Sequence, residues 1–174
     1  MIYVLYGQPA SGKTTIGKKM ADYLKTPFII DGDEFREMFS NKNYGKEGRY
    51  QNIRSANAVA TYLNKKGATG DWSAIYCRGE NNNSIKGVSV KEDTDVIMSL
   101  VNPYKDLRDE LKDNNPDNVV EICLQTDREL RKDFHVEDFQ LGEPDLIINT
   151  DKDPDITFNL IKNIIFVEDN DYLG

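Results

Sequence analysis

Gly7-Gln8-Pro9-Ala10-Ser11-Gly12-Lys13-Thr14 matches the pattern G-x-x-x-x-G-K-[ST] in full. In such a loop the glycines let successive backbone N–H groups turn inward around an anion, and the helix that follows adds positive potential at its N-terminus. The Lys13 ammonium is then placed to neutralise the β- and γ-phosphates of a nucleotide, and the Thr14 hydroxyl to reach Mg²⁺. Thr15 is assigned with them to the nucleotide, ATP or GTP. A second group follows in Asp31-Gly32-Asp33-Glu34-Phe35-Arg36. Two acids at the end of an apolar run suit phosphoryl transfer: one orients Mg²⁺, directly or through water, and the other accepts a proton from an attacking hydroxyl. The spacing of Asp33 and Arg36 puts both on one helical face. Asp33 also suits a helix N-cap. Arg49, Asn52 and Arg54 open a helical period, where cations oppose the helix dipole, so anion recognition explains them better than surface optimisation. Tyr104, after Pro103, can stack on a flat substrate, and Arg108 can reach an anionic group.

The elements that must position these residues are legible as apolar runs. Residues 2–6, 27–30, 96–101, 119–124 and 146–148 are apolar and rich in β-branched types. Continuous runs of this length suit strands buried on both faces, as in a parallel sheet. Helical periods lie between them. Ile16, Met20, Tyr23 and Leu24 share a face, as do Ala56, Val59, Ala60 and Leu63. Leu160, Ile161, Ile164 and Ile165 repeat the spacing after Asp153-Pro154, a helix start. Strand and helix alternate, which predicts one α/β domain over residues 1–174, with a five-stranded, mainly parallel sheet flanked by helices. Its carboxyl edge is where ligands bind. Residues 68–94 interrupt the alternation. Two strand-like stretches, 73–77 and 85–90, flank the turn residues Gly79, Asn81, Asn82, Asn83 and Ser84, so the segment reads as an inserted β-hairpin. It leaves a helix and enters a strand, so its roots belong at the sheet edge away from the phosphate loop. That favours a partner contact or homodimer surface over a lid.

Composition narrows the function classes. The 174 residues carry 22 Lys and Arg against 30 Asp and Glu, a formal charge of −8. Such a chain repels a nucleic-acid backbone globally, which argues against a polymeric nucleic-acid partner and for a small molecule. No apolar run approaches the roughly 18 residues needed to span a membrane. Two cysteines, Cys77 and Cys123, make neither a metal pattern nor a disulfide framework, and a single histidine, His135, excludes a multi-histidine metal site. A reducing, cytoplasmic compartment fits that usage.

Taken together, the motifs resemble the adenylylsulfate kinase family. The resemblance runs through residues 7–14, Asp31-Gly-Asp-Glu-Phe-Arg36, Arg49-Tyr-Gln-Asn52-Ile-Arg54, Asn102-Pro-Tyr-Lys-Asp-Leu-Arg108-Asp109 and Pro144-Asp-Leu-Ile-Ile-Asn-Thr150. It implies a P-loop kinase that transfers the γ-phosphate of ATP to the 3′-hydroxyl of adenylylsulfate, with Mg²⁺, in sulfate assimilation. It puts ATP on residues 7–14 and the acceptor around Asp33, Arg36, Arg49, Asn52, Arg54 and Tyr104. The lid expected after the fourth strand, residues 126–143, carries Arg128, Arg131 and Lys132, of which Arg128 and Arg131 are assigned to the nucleotide. Asn102 stands where the family usually has Ser, and residues 68–94 intervene where the family runs almost directly from helix to strand. A related kinase acting on another small molecule, a modified nucleoside or a nucleic-acid end is the alternative, and a non-enzymatic nucleotide-binding protein a second one.

Overall fold

A computed structural model describes residues 1–67, 94–128 and 132–166. Among these residues five strands form one sheet: β1 (Ile2–Tyr6), β2 (Ile29–Asp31), β3 (Val96–Ser99), β4 (Val119–Gln125) and β5 (Leu146–Asn149). Their order across the sheet is β2-β3-β1-β4-β5, and every pairing is parallel. The helices are α1 (Lys13–Leu24), α2 (Gly32–Met38), α3 (Lys46–Gly67), α4 (Lys105–Asn114) and α5 (Pro154–Ile165). The five expected strands are all present, β1 with the expected ends and the others with ends within two residues of the expectation. The hairpin expected over residues 68–94 falls on residues 68–93, outside the described residues.

β1 lies at the centre and all five of its residues are buried. Successive side chains of a strand point to opposite faces. Ile2, Val4 and Tyr6 therefore join a core with Phe35 of α2, Ala56 and Ala60 of α3 and Leu111 of α4. Tyr3 and Leu5 join the opposite core with Ile16 and Met20 of α1 and Ile161 of α5. The edge strands differ from the expectation of burial on both faces. In β5, Ile147 is 48% exposed while Ile148 is buried, because only one face of that edge is covered. In α5, Thr157 and Ile161 face inward, whereas Leu160 and Ile164 of the expected apolar face are exposed. A helix over a sheet edge contacts its neighbours along a narrow stripe.

Parallel pairing puts every strand's carboxyl end at the same edge of the sheet. Residues 7–14 follow β1 there, Asp31 ends β2, and residues 100–104 follow β3. The opposite edge holds the roots of residues 68–93. Val96, which opens β3, pairs with Ile2, and Asn64 Nδ2 donates to the Thr94 carbonyl at 3.0 Å.

One buried charge ties the active edge together, and it corrects the expectation for Arg108. This residue is only 1% exposed. Its Nη1 donates to the Asn102 carbonyl at 2.7 Å, and Nη2 to the carbonyls of Gln140 (2.7 Å) and Leu141 (3.0 Å). The guanidinium lies 4.2 Å from the Tyr6 ring centre and 3.6 Å from Glu121 Oε2. Buried, and with both terminal nitrogens donating to scaffold carbonyls, it does not line the cavity at that edge. Burial pushes the Glu121 carboxyl above its usual range, against the pull of Lys112 and Arg108. Removing one partner of a buried pair strands the other charge. Arg108→Met is expected to lower stability by about 3–5 kcal/mol in urea denaturation. A loss below about 1 kcal/mol would mean that this pair does not hold the two loops.

Candidate active site

The phosphate loop is shaped by contacts with the strand beside it. Gly7 lies against β4 so closely that a Cβ there would sit 2.2 Å from the Leu124 carbonyl oxygen. Gly12 caps α1 at φ +84°, in the left-handed region that glycine tolerates best. Ala10 also has a positive φ, +66°, a conformation that costs roughly 1–2 kcal/mol for a residue with a Cβ and that clusters at functional sites. The Lys13 ammonium lies over the loop, donating to the carbonyls of Gly7 (3.0 Å) and Gln8 (2.7 Å) and to Ser11 Oγ (3.1 Å). Thr150 Oγ1 donates to the Ser11 carbonyl at 3.0 Å and braces the loop from the end of β5. The Gln8 side chain turns away from the loop. Its Nε2 donates to the Val136 carbonyl at 2.9 Å and its Oε1 accepts from the Val136 N–H at 3.0 Å, clasping the loop to the chain beyond the 3₁₀ turn Lys132–Phe134.

The two acids take different places. Asp31, not Asp33, caps α2: its Oδ1 accepts from the Asp33 N–H at 3.0 Å. Its Oδ2 accepts from the Thr14 hydroxyl at 2.7 Å. A hydroxyl and a carboxylate side by side are oxygen donors that suit Mg²⁺, which is commonly held by one or two protein oxygens together with phosphates and waters. Among the described residues no three or more His, Cys, Asp or Glu cluster so as to hold a metal ion by themselves. Asp33 stands in the first turn of α2 with its side chain uninvolved in the cap.

A cavity of about 720 Å³ opens along this edge, within the range of small-molecule sites. The phosphate loop divides its lining. On the β2–β3 flank stand Asp33, Arg36, Tyr44, Arg49, Asn52 and Asn102, and on the β4–β5 flank Arg128, Thr150, Lys152, Pro154 and Thr157. Pro9, Ala10, Gly12, Lys13, Thr14, Thr15 and Asp31 line it in between. Arg36 Nη1 donates to the Asn43 carbonyl at 2.9 Å, and its guanidinium stacks on Tyr44 at 4.6 Å. Burial first, and then the Arg49 guanidinium, hold Arg36 below its ordinary pKa. Two cations thus crowd one wall, an arrangement that an anion would relieve. On the other flank, Arg128 Nη2 donates to the Thr150 carbonyl at 3.1 Å, and Arg128 Nε lies 3.4 Å from Asp151. Hydrogen bonds from the Thr126 hydroxyl, the Asp127 N–H and the Asn149 amide hold the Asp151 carboxyl well below its usual range.

Two expected acceptor residues lie elsewhere. Tyr104 is buried to 1% exposure with its ring stacked on Tyr50 at 4.4 Å, so that face is already occupied. Arg54 is exposed, lies 3.6 Å from Glu110, and does not line the cavity. Arg131 is outside the described residues. Sequence reading also missed residues that do line the cavity. Tyr44 and Phe134 are aromatic yet 57% and 60% exposed. Their signal was an aromatic residue set in an otherwise polar stretch. Lys152 carried no such signal.

Comparison with known proteins adds a frame to this geometry. The Zeta toxin family description matches residues 1–66. The chain is 27% identical over 154 residues to the cytidine diphosphoramidate kinase of Campylobacter jejuni, covering 83% of each. It is 47% identical over 38 residues to the cytidylate kinase of Pyrobaculum arsenaticum, covering 22% of this chain and 21% of that one. The structure of an APS kinase from Mycobacterium tuberculosis in complex with AMPPNP and APS superposes with a TM-score of 0.68, covering 95% of this chain and 97% of that one at 15% identity. The fold is that of P-loop kinases.

Asp31 combines a cap with a charge, and two substitutions separate them. Asparagine caps a helix about as well as aspartate, whereas alanine does not. Asp31→Asn is expected to leave stability within about 0.5 kcal/mol, and Asp31→Ala to lower it by about 1 kcal/mol, in urea denaturation. Equal losses for the two would show that the carboxylate charge, rather than the cap, supports α2.

Proposed function

We propose that this chain, a P-loop kinase by fold and by its relatives, transfers the γ-phosphate of ATP to a hydroxyl of a small, anionic, nucleotide-like acceptor, acting as one kinase domain. The observation that carries the reading is the pairing of Arg36 and Arg49 on the wall that also holds Asp33, in the cavity that Lys13 lines too. Positive charge there serves an anion on the acceptor, while Asp33 is a carboxylate within the same wall.

In this reading the backbone of residues 7–14 and the Lys13 ammonium hold the β- and γ-phosphates. Lys13 offsets charge that shifts onto the bridging oxygen as the bond to the γ-phosphorus breaks. The acceptor oxygen forms the new bond, ADP leaves, and the hydroxyl proton passes to Asp33. Thr14 and Asp31 would hold Mg²⁺, which when bound spreads the negative charge of the phosphates. Arg128 on the β4–β5 flank is assigned to the nucleotide, and Asn52 to the acceptor.

Two acceptors within this class are supported by separate observations. The fold likeness and the motif order favour adenylylsulfate. The curated relative that matches over most of both chains favours a cytidine nucleotide. Both carry a ribose and an anionic group on its 5′ side. Transfer of labelled γ-phosphate to a panel of adenylylsulfate, cytidine nucleotides, nucleosides and DNA ends tests the reading. Transfer to a nucleotide of either base supports it, and transfer only to DNA ends or to no acceptor refutes it.

Two variants probe the roles. Lys13→Met is expected to lower kcat at least about a hundredfold while the chain still folds. Asp33→Asn is expected to lower turnover by about 10²–10⁴ while the Kd for ATP stays within about twofold. If Asp33→Asn instead weakens ATP binding and Mg²⁺ dependence together, Asp33 serves the metal and Asp31 becomes the base.

A further inference from the structure

The wall of the cavity contains a side chain that the kinase reading does not use. Asn102 is fully buried and lines the cavity, and neither its Oδ1 nor its Nδ2 has a hydrogen-bond partner. Among the described residues no other side chain leaves a buried donor and a buried acceptor unpaired together. Asn52, Asn57 and Asn115 each leave only a buried oxygen unpaired; Asn52 lines the cavity and is already assigned to the acceptor, whereas Asn57 and Asn115, whose Nδ2 atoms donate to the Leu107 carbonyl and to Thr61 Oγ1, do not line it. A buried amide without partners destabilises a fold, so it calls for a partner from outside the chain.

The backbone fixes where this amide stands. The Asn102 carbonyl accepts from the buried Arg108, its φ is +42°, and Pro103 follows. The preceding carbonyl, that of Val101, accepts from the Gly7 N–H at 3.3 Å. Leu100 Cα lies 3.5 Å from where a Cβ of Gly32 would be. The turn 100–102 therefore runs between the phosphate loop and the start of α2. In the kinase reading this is where the acceptor hydroxyl meets the transferred phosphoryl group.

Resting on that reading, we propose that Asn102 selects an acceptor with two vicinal hydroxyls, the 2′,3′-diol of a ribose. Its Oδ1 accepts from the hydroxyl that does not react. Its Nδ2 donates to the attacking oxygen, whose own proton is left for Asp33. An asparagine amide offers both functions side by side. A serine, which the resembling family usually has at this place, offers one short hydroxyl.

Asparagine also tolerates the left-handed backbone, so the test must separate conformation from recognition. Glycine adopts the same φ without an amide. The full chain, as wild type and Asn102→Gly, is assayed for γ-phosphate transfer to cytidine 5′-monophosphate, to adenylylsulfate and to the 2′-deoxy form of each. The wild type is expected to favour the ribose form by at least about tenfold in kcat/KM. Asn102→Gly is expected to bring that ratio to within about twofold of unity, with the KM for ATP and the melting temperature unchanged. Asn102→Asp keeps the oxygen that accepts from the non-reacting hydroxyl but loses the donor to the attacking oxygen, so should the glycine variant not fold, it is expected to keep the ribose preference while kcat falls on both sugars, and loss of the preference in this variant overturns the proposal. A folded Asn102→Gly with the wild-type ratio assigns Asn102 to backbone conformation and overturns the proposal, leaving the kinase reading intact. A wild type that does not distinguish the two sugars overturns it as well. Absence of transfer from the wild type to every acceptor overturns both readings.

Discussion

β1 is hydrogen-bonded on both edges and buried on both faces, and the placement of everything chemical depends on that constraint. A strand so enclosed can meet a ligand only at its end. Because β3 and β4 run parallel to it on either side, their carboxyl ends open at the same edge. The chain turns from β1 toward β2 and β3 on one side and β4 and β5 on the other, and the crevice between the two groups is where ligands bind in such sheets. The phosphate loop occupies that crevice because it is the segment that leaves β1.

Packing around the loop explains its residue types more sharply than the anion does. Gly7 is required by the approach of β4, at a distance that leaves no room for a Cβ. Thr150 braces the loop from β5, and Gln8 spends its side chain on Val136. The loop is thus preorganised by three neighbours before any phosphate arrives, which lowers the cost of ordering it around a ligand.

Charge is distributed against the chain's own average. The net charge is −8, yet Lys13, Arg36, Arg49, Arg128 and Lys152 line one cavity. Net charge governs solubility and encounter, whereas a cleft concentrates the field of its own lining. The cationic lining is therefore local to the cavity and does not follow from the chain's average charge.

The sequence by itself determined the strand–helix alternation, the phosphate loop with its bracketing elements, and the pairing of Asp31 and Asp33 at a strand end. These follow from short-range rules: apolar runs, helical spacing and a contiguous motif. Only the tertiary structure decided which of several similar side chains faces the cavity. Arg36, Arg49, Arg54 and Arg108 are one residue type, but α2 and the start of α3 turn the first two to the cavity, Glu110 holds the third, and burial under residues 140–141 removes the fourth. Tyr104 stacks on a ring more than fifty positions earlier, at Tyr50. Tyr44 and Phe134 reach the cavity from segments distant in the chain. The unpaired amide of Asn102 follows from a backbone turn set by Arg108. Each of these outcomes depends on contacts between residues far apart in sequence, and local periodicity carries no record of them.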